Sequence, residues 1–250
     1  MNKVAIVTGA SKGIGKAVGH ELLRDGYSVV FTSRNEEELK KAVGEFEGNS
    51  KQAFIFPSDI SIPDSVSALF AKTVEVFGRL DFLFNNAGIS GLPSPLEDLS
   101  YEVWNSIINT NLTGSFLCIQ EAFRIMKNQL PQGGRIINNG SVSAQTPRPN
   151  GIAYTASKHA VTGLTKSASI EGRKYNIACG QIDIGNADTD LLSSLRKKIN
   201  PDTGQPYFNE PVMSVESVAK MIVHMANLPL EENILFMTML ATKMPFSGRG

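Results

Sequence analysis

Apolar and polar positions follow two rhythms along this chain. Short runs rich in β-branched or aromatic residues, such as VAIVT and SVVFT, are each followed by a longer stretch in which apolar residues recur at helical spacing. The short runs predict strands at 3–8, 28–33, 52–57, 81–85, 135–139, 176–182 and 233–239. Helices fill the gaps. Gly26 and Gly78 stand where a left-handed residue ends the first and third of them, and Ser61, Pro63 and Asp64 mark the start of the third. Two longer helical stretches, 104–128 and 154–175, flank the strand that ends at Asn139. Strand and helix alternating in this way build right-handed βαβ units. The expected fold class is therefore α/β, a doubly wound fold with a mostly parallel seven-stranded sheet and helices on both faces. No repeat or linker divides the chain, so residues 1–250 are expected to form one domain. The irregular stretch 186–213, rich in Asp, Pro and Gly, has the length of a lid or binding segment.

Composition narrows the class of function. Of 250 residues, 42% are hydrophobic and 19% charged, which excludes a disordered or fibrous chain. Lys and Arg number 24 against 24 Asp and Glu, so no net positive field draws in nucleic acid or an anionic membrane. Cys118 and Cys179 are too few for a disulfide framework or a thiolate metal site, and His20, His159 and His224 lack ligand spacing, so no metal is expected. A reducing, cytoplasmic compartment fits two free thiols. No apolar run approaches the roughly 18 residues of a membrane span, and VAIV at the start is too short for a signal segment. A soluble protein is expected.

Candidate chemistry begins directly after the first strand, where Thr8-Gly9-Ala10-Ser11-Lys12-Gly13-Ile14-Gly15 leads into a helix. Glycines there let the backbone turn tightly and approach a pyrophosphate, while the helix N-terminus offers unpaired N–H groups to the phosphate. The phosphate turn of NTPases is absent. At the end of the second strand, where an acidic residue would hold the adenosine ribose of NAD(H), stands Ser33, followed by Arg34. With Lys12 in the glycine turn, two cations are available to a 2′-phosphate, which favours NADP(H); the same pair also reads as solvated surface charge.

Tyr154 and Lys158 lie four residues apart, on one face of a helix. A phenol titrates near pH 10 in water, so a neighbouring ammonium is the simplest way to make it an acid-base group near neutrality. Ser141 follows the fifth strand and Asn85-Asn86-Ala87-Gly88 closes the fourth, both at the carboxyl edge where open α/β sheets bind ligands.

Taken together, TGASKGIG at Thr8, SDIS around Asp59, GRLDFLFNNAG from Gly78, NTNLTGSF around Asn111, GRIINNGSVS through Ser141 and YTASK at Tyr154 resemble the short-chain dehydrogenase/reductase family over nearly the whole chain. The resemblance implies a single-domain Rossmann fold and reduction of a carbonyl, or oxidation of an alcohol, with a nicotinamide cofactor. It also implies a catalytic tetrad of Asn111, Ser141, Tyr154 and Lys158, with Asn111 supporting a water linked to Lys158. Gly9, Ser11, Lys12, Gly13, Ile14 and Gly15 would hold the cofactor's phosphates. Ser33, Arg34, Asp59, Ile60, Asn86, Ala87 and Gly88 would surround its adenosine half, and Tyr154, Lys158, Gly185 and Thr189 its nicotinamide half.

Two segments depart from that family. The usual Pro-Gly after the sixth strand is Ile184-Gly185 here, which leaves the conformation of the following loop open, and the tail from Phe236 does not follow the usual pattern. Substrate identity is not legible: Asp190, Leu191, Leu192, Lys197, Lys198 and Tyr207 in the lid, with Ser90, Leu92, Ser143 and Gln145 at the pocket edge, select no class, and Arg148, which could meet an anionic substrate, reads first as a solvated loop cation. The leading expectation is an NADPH-dependent oxidoreductase acting on a small carbonyl or alcohol; the alternative is a non-enzymatic NADP(H)-binding sensor or scaffold. The family further implies a homodimer or homotetramer built on the helices 104–128 and 154–175, carrying Phe116, Ile119, Phe123, Ala160, Leu164 and Ala168. Met237, Met239, Leu240, Met244 and Phe246 of the tail either join that interface or cap the parent sheet.

Overall fold

The computed structural model describes residues 2–197, 199, 204, 206 and 208–246, with the backbone alone at 190, 191, 194 and 195. Its strands are β1 (Val4–Thr8), β2 (Ser28–Thr32), β3 (Ala53–Ile55), β4 (Phe82–Asn85), β5 (Gly134–Asn139), β6 (Ile177–Ile184) and β7 (Phe236–Met239). They form one sheet in the order β3-β2-β1-β4-β5-β6-β7, with every neighbouring pair parallel. The reversal of strand order beside β1 is the switch point that opens a crevice at the carboxyl ends.

Both faces of this sheet are buried, and strand periodicity assigns each side chain to one of them. Ala5 and Val7, Val29 and Phe31, Phe82 and Phe84, and Ile182 and Ile184 face a core closed by α1 (Gly13–Arg24), α2 (Glu36–Gly44) and α8 (Val215–Asn227). Their alternates Ile6, Val30, Leu83 and Cys179 face a second core closed by α3 (Pro63–Phe77), α5 (Gly114–Asn128) and α6 (Ile152–Gly172). Gly78 ends α3 in the left-handed conformation, as its place after Phe77 predicts. Burial pushes both thiols upward, Cys179 to about 12, so neither is a nucleophile near neutral pH.

The single helix predicted at 104–128 is two helices, α4 (Tyr101–Ile108) and α5, joined without a break by a π turn at Asn109–Thr113. β6 runs two residues past its predicted end and so includes Asp183. Within the expected lid lies α7 (Asp190–Lys197); Lys198 and Tyr207 fall outside the described residues, as do the side chains of Asp190 and Leu191.

The tail folds back on its own subunit. Met237 and Met239 pack on the first core, while Met244, Leu240 and Phe246 gather with Ala241 on Val142. Of the helix residues expected at an interface, Ile119 and Ala168 belong to the second core, Phe123 and Leu164 pack against it, and Phe116 is 44% exposed. No helix among the described residues is long and apolar enough to cross a membrane.

Candidate active site

The carboxyl ends of β1, β2, β4, β5 and β6 open onto one cleft of about 1510 Å³. The glycine turn forms one end of it. Gly9 adopts φ +63, and a β-carbon there would come 2.9 Å from Ala87 Cα. One at Gly15 would fall 2.3 Å from the Gly9 carbonyl oxygen and 2.6 Å from Asn86 Nδ2. The turn thus lies flush on the end of β4, where Asn86 Nδ2 donates to the Thr8 and Gly9 carbonyls at 2.9 and 3.3 Å. Thr8 Oγ1 accepts the N–H groups of Asn86 and Ala87 at 2.9 and 3.0 Å. α1 begins at Gly13 without a side-chain cap, and Gly13 and Ile14 line the cleft. A bare helix N-terminus behind a turn whose Gly9 and Gly13 carry no side chain fits a pyrophosphate.

Ser11, Lys12, Ser33, Arg34, Asp59 and Ile60 rim the same end. Asp59 Oδ1 accepts both the N–H and the hydroxyl of Ser61, at 2.9 and 2.7 Å, which fixes the turn after β3. Sequence reasoning missed Glu38: this carboxylate of α2 also lines the cleft and accepts the Ser11 hydroxyl at 3.1 Å. The cations at that rim therefore do not stand unopposed.

Ser141, Tyr154 and Lys158 line the cleft further along, beside Asn139 at the end of β5 and Gly140. Ser141 caps the short turn Val142–Ala144, its Oγ accepting the Ser143 N–H at 3.1 Å. Its hydroxyl hydrogen is still available to a ligand. Tyr154 and Lys158 occupy successive turns of α6, with Lys158 Nζ 5.6 Å from the centre of the Tyr154 ring. Lys158 is only 5% exposed, and its ammonium donates to the Asn139 carbonyl at 2.6 Å. Asn139 in turn donates from Nδ2 to Asn86 Oδ1 at 2.9 Å, linking the lysine to the glycine turn.

Asn111 occupies the π turn and is 1% exposed. Its Nδ2 donates to the Ile89 carbonyl at 2.9 Å and to Ser157 Oγ at 3.0 Å, and its Oδ1 accepts the Ile89 N–H at 2.8 Å. Ser157 passes its own hydroxyl to the Tyr154 carbonyl at 2.7 Å. Asn111 thus ties the loop after β4 to the first turn of α6, and among the described residues no direct hydrogen bond joins it to Lys158. The extra backbone residue of a π turn re-aims side chains in this way.

On the remaining wall, Gly185 donates its N–H to the Met239 carbonyl at 2.9 Å, and Asn186 donates its own to Met244 Sδ at 3.3 Å. The tail therefore holds the start of the loop, where Ile184 stands in place of the usual proline. A β-carbon on Gly13 would lie 3.3 Å from Thr189 Cγ2, so Thr189 packs against the glycine turn, and it also lines the cleft. Ser90, Ser143 and Leu192 line the cleft, whereas Leu92 is absent from its lining and Gln145 turns away to Asp183 and Thr238. The reading of Arg148 as a solvated cation is overturned. It lines the cleft and donates to Glu210 Oε2 at 2.7 Å and to Asn186 Oδ1 at 3.1 Å, with Phe208 under its guanidinium.

Known proteins share this fold and much of this sequence. The family model described as short chain dehydrogenase matches residues 3–200. A curated relative, the 3beta-hydroxysteroid dehydrogenase of Mediterraneibacter gnavus, is 39% identical over 189 residues, spanning 76% of this chain and 67% of that protein. Among solved structures, ElxO with NADP bound superposes with a TM-score of 0.84 at 31% identity, covering 96% of this chain and 98% of that one. The 3-ketoacyl-(acyl-carrier-protein) reductase from Brucella melitensis complexed with NADH gives 0.83 at 25% identity, with the same coverage.

Proposed function

We propose that this chain, which belongs to the short-chain dehydrogenase/reductase family, is an NADP(H)-dependent reductase of carbonyl compounds that runs in reverse on secondary alcohols. The observation that carries the reading is the placement of Ser141, Tyr154 and Lys158 along one cleft whose other end is the glycine turn. When bound, the nicotinamide supplies or accepts the hydride. The chain's own residues handle the oxygen. Ser141, with its Oγ lone pair already committed to Ser143, directs its hydroxyl hydrogen to the substrate oxygen, a bond that strengthens as negative charge gathers there. Tyr154 gives its phenolic proton to the same oxygen, and the Lys158 ammonium steadies the charge left on the phenol. Asn111 holds the first turn of α6 in place through Ser157.

Oxidation of NADPH, followed by absorbance against a panel of ketones, aldehydes, 3-oxoacyl thioesters, sugars and a 3-oxosteroid, tests this reading. Turnover with at least one carbonyl is expected. Tight NADPH binding with no turnover across the panel would instead favour the sensor or scaffold alternative.

Lys12 and Arg34 support NADPH over NADH, and Glu38 tempers the preference because its carboxylate stands at the same rim. Arg34→Asp is expected to lower the NADPH-to-NADH ratio of kcat/KM about ten- to hundredfold by replacing a phosphate partner with a repelling acceptor of ribose hydroxyls. Glu38→Gln is expected to raise it. Equal kcat/KM for the two cofactors in the parent protein contradicts the assignment.

The outward faces of α5 and α6 support a homo-oligomer about a two-fold axis, since Phe116 is 44% and Ile170 61% exposed. Sedimentation is expected to give a dimer or tetramer, and Phe116→Glu with Ile170→Glu a monomer. A parent protein that sediments as a fully active monomer refutes this part.

A further inference from the structure

Asp183 is a buried carboxylate to which the catalytic reading gives no task. It lies on β6, is 3% exposed, and is absent from the residues that line the cleft. Three N–H donors converge on it. Its Oδ1 accepts the backbone N–H of Ser141 at 3.1 Å and Gln181 Nε2 at 2.7 Å, while Oδ2 accepts Gln145 Nε2 at 2.7 Å. Burying a carboxylate is costly unless it is fully hydrogen-bonded, so the burial of this group depends on these donors.

Each donor is itself anchored. Gln181, fully buried, also donates to Thr162 Oγ1 at 3.0 Å, and its Oε1 accepts the Thr165 hydroxyl at 2.9 Å, which locks both strand residues to α6. Thr165 Oγ1 accepts Asn138 Nδ2 at 2.9 Å, and Asn138 Oδ1 accepts Asn85 Nδ2 at 3.1 Å. Gln145 reaches Thr238 of β7 at 3.0 Å. A polar chain therefore crosses β4, β5, β6 and β7 beneath the cleft and ends on the backbone of Ser141. The room for it comes from Gly140, where a β-carbon would fall 2.0 Å from Asp183 Oδ1 and 2.7 Å from Gln181 Nε2.

We propose that Asp183 is a positioning residue for Ser141, its carboxylate fixing the serine backbone so that the hydroxyl is held at the substrate oxygen, with the bare Cα of Gly140 as the condition for that contact. The inference rests on the carbonyl-reductase reading for its catalytic consequence, but not for the contact itself. Ser141 is held from two sides, by Asp183 at its N–H and by Ser143 at its Oγ. Losing the first leaves the turn Val142–Ala144 free to shift, and displacement of a reacting group by an ångström is worth about a hundredfold in rate.

Asp183→Ala and Asp183→Asn separate this role from mere stability. Asp183→Ala is expected to lower kcat about ten- to hundredfold, with substrate KM and NADPH affinity changing by less than about threefold because neither contact is made by Asp183. Asp183→Asn is expected to recover most of that loss, since an amide oxygen still accepts the Ser141 N–H and Gln145 can turn its own oxygen toward the new amide nitrogen. Hydrogen exchange at the Ser141 amide of the cofactor-free protein supplies a reading independent of turnover. It is expected to quicken about tenfold or more in Asp183→Ala and to slow again in Asp183→Asn. If Asp183→Ala does not fold, Gly140→Ala takes its place, because the added methyl dislodges the same carboxylate and is expected to quicken the same amide. Unchanged exchange at Ser141, or an Asp183→Asn no better than Asp183→Ala, overturns the proposal. The expected exchange pattern in a parent that reduces no carbonyl sustains the positioning contact and overturns the reductase reading instead.

Discussion

Replacing Tyr154 by Phe is expected to lower kcat by about two to four orders of magnitude, the span that a positioned proton donor contributes, while NADPH affinity stays within about twofold. The asymmetry follows from where the tyrosine is anchored. Its backbone is held by Ser157, which donates to its carbonyl at 2.7 Å, and through Ser157 by the buried Asn111. Removing the phenolic oxygen leaves those ties and the ring's place beside Lys158 intact. Only the group that moves a proton is lost. Steady-state rates with the best carbonyl of the panel, a fluorescence titration with NADPH and a melting curve check the three parts separately. A variant that keeps near-parent kcat removes Tyr154 from the mechanism, whereas equal losses in rate and NADPH affinity make it a cofactor ligand instead of an acid.

The sheet was legible because its strands are buried on both faces. Runs such as VAIVT have no polar alternative face, so they identify strands even where their ends are soft, and each observed strand falls within or beside its predicted span. The misplaced end of β6 has a definite cause. Asp183 is poor strand material by propensity, and a reading from local preference stops at Ile182. In the folded chain the donors from Gln181, Gln145 and Ser141 make its burial tolerable, so the strand continues to Ile184. Gln181 and Asp183 stand two apart in the run IACGQIDI and share one face of the strand, which was the available signal that a polar network crosses the sheet there.

Other parts of the site were hidden because they depend on elements distant in sequence. Glu38 meets Ser11 only because α2 packs beside the glycine turn, across 27 residues of chain. The π turn at Asn109–Thr113 leaves no mark in a hydrophobic pattern whose period it shifts by one residue, yet it gives Asn111 its aim toward Ile89 and Ser157. The apolar tail was ambiguous for a related reason. Met244 and Phe246 read equally as partner contacts or as cover for the parent fold, until the tail was seen to pack on Val142 and to hold the Gly185–Asn186 backbone. The tail thus supplies restraint to a loop that lacks the family's proline.

Lys158→Ala is expected to lose both rate and cofactor affinity, the contrast that sets it apart from Tyr154→Phe. The ammonium lies between two demands. It donates to the Asn139 carbonyl at 2.6 Å, and Asn139 is joined through Asn86 to the glycine turn, so the same charge serves the wall of the cofactor cleft and the neighbourhood of the phenol. Truncation removes the charge that steadies the phenol after proton transfer and leaves the half-buried Asn139 carbonyl without that donor. Loss of a hydrogen bond to a charged group costs about 1.5–3 kcal/mol, enough to weaken NADPH binding by about tenfold or more if the Asn139 segment relaxes, while kcat falls by about two orders of magnitude or more. Lys158→Met separates the contributions. Its unbranched stem fills much of the same space without a charge, so it is expected to restore part of the melting temperature lost in Lys158→Ala while leaving kcat as low. Lys158→Arg is expected to fail as well, since a planar fork does not reproduce a compact ammonium in a pocket of this size. Rates, NADPH titration and melting curves on the three variants decide the matter: a rise in substrate KM alone, with kcat and cofactor affinity preserved, would show that Lys158 serves neither the phenol nor the cofactor wall.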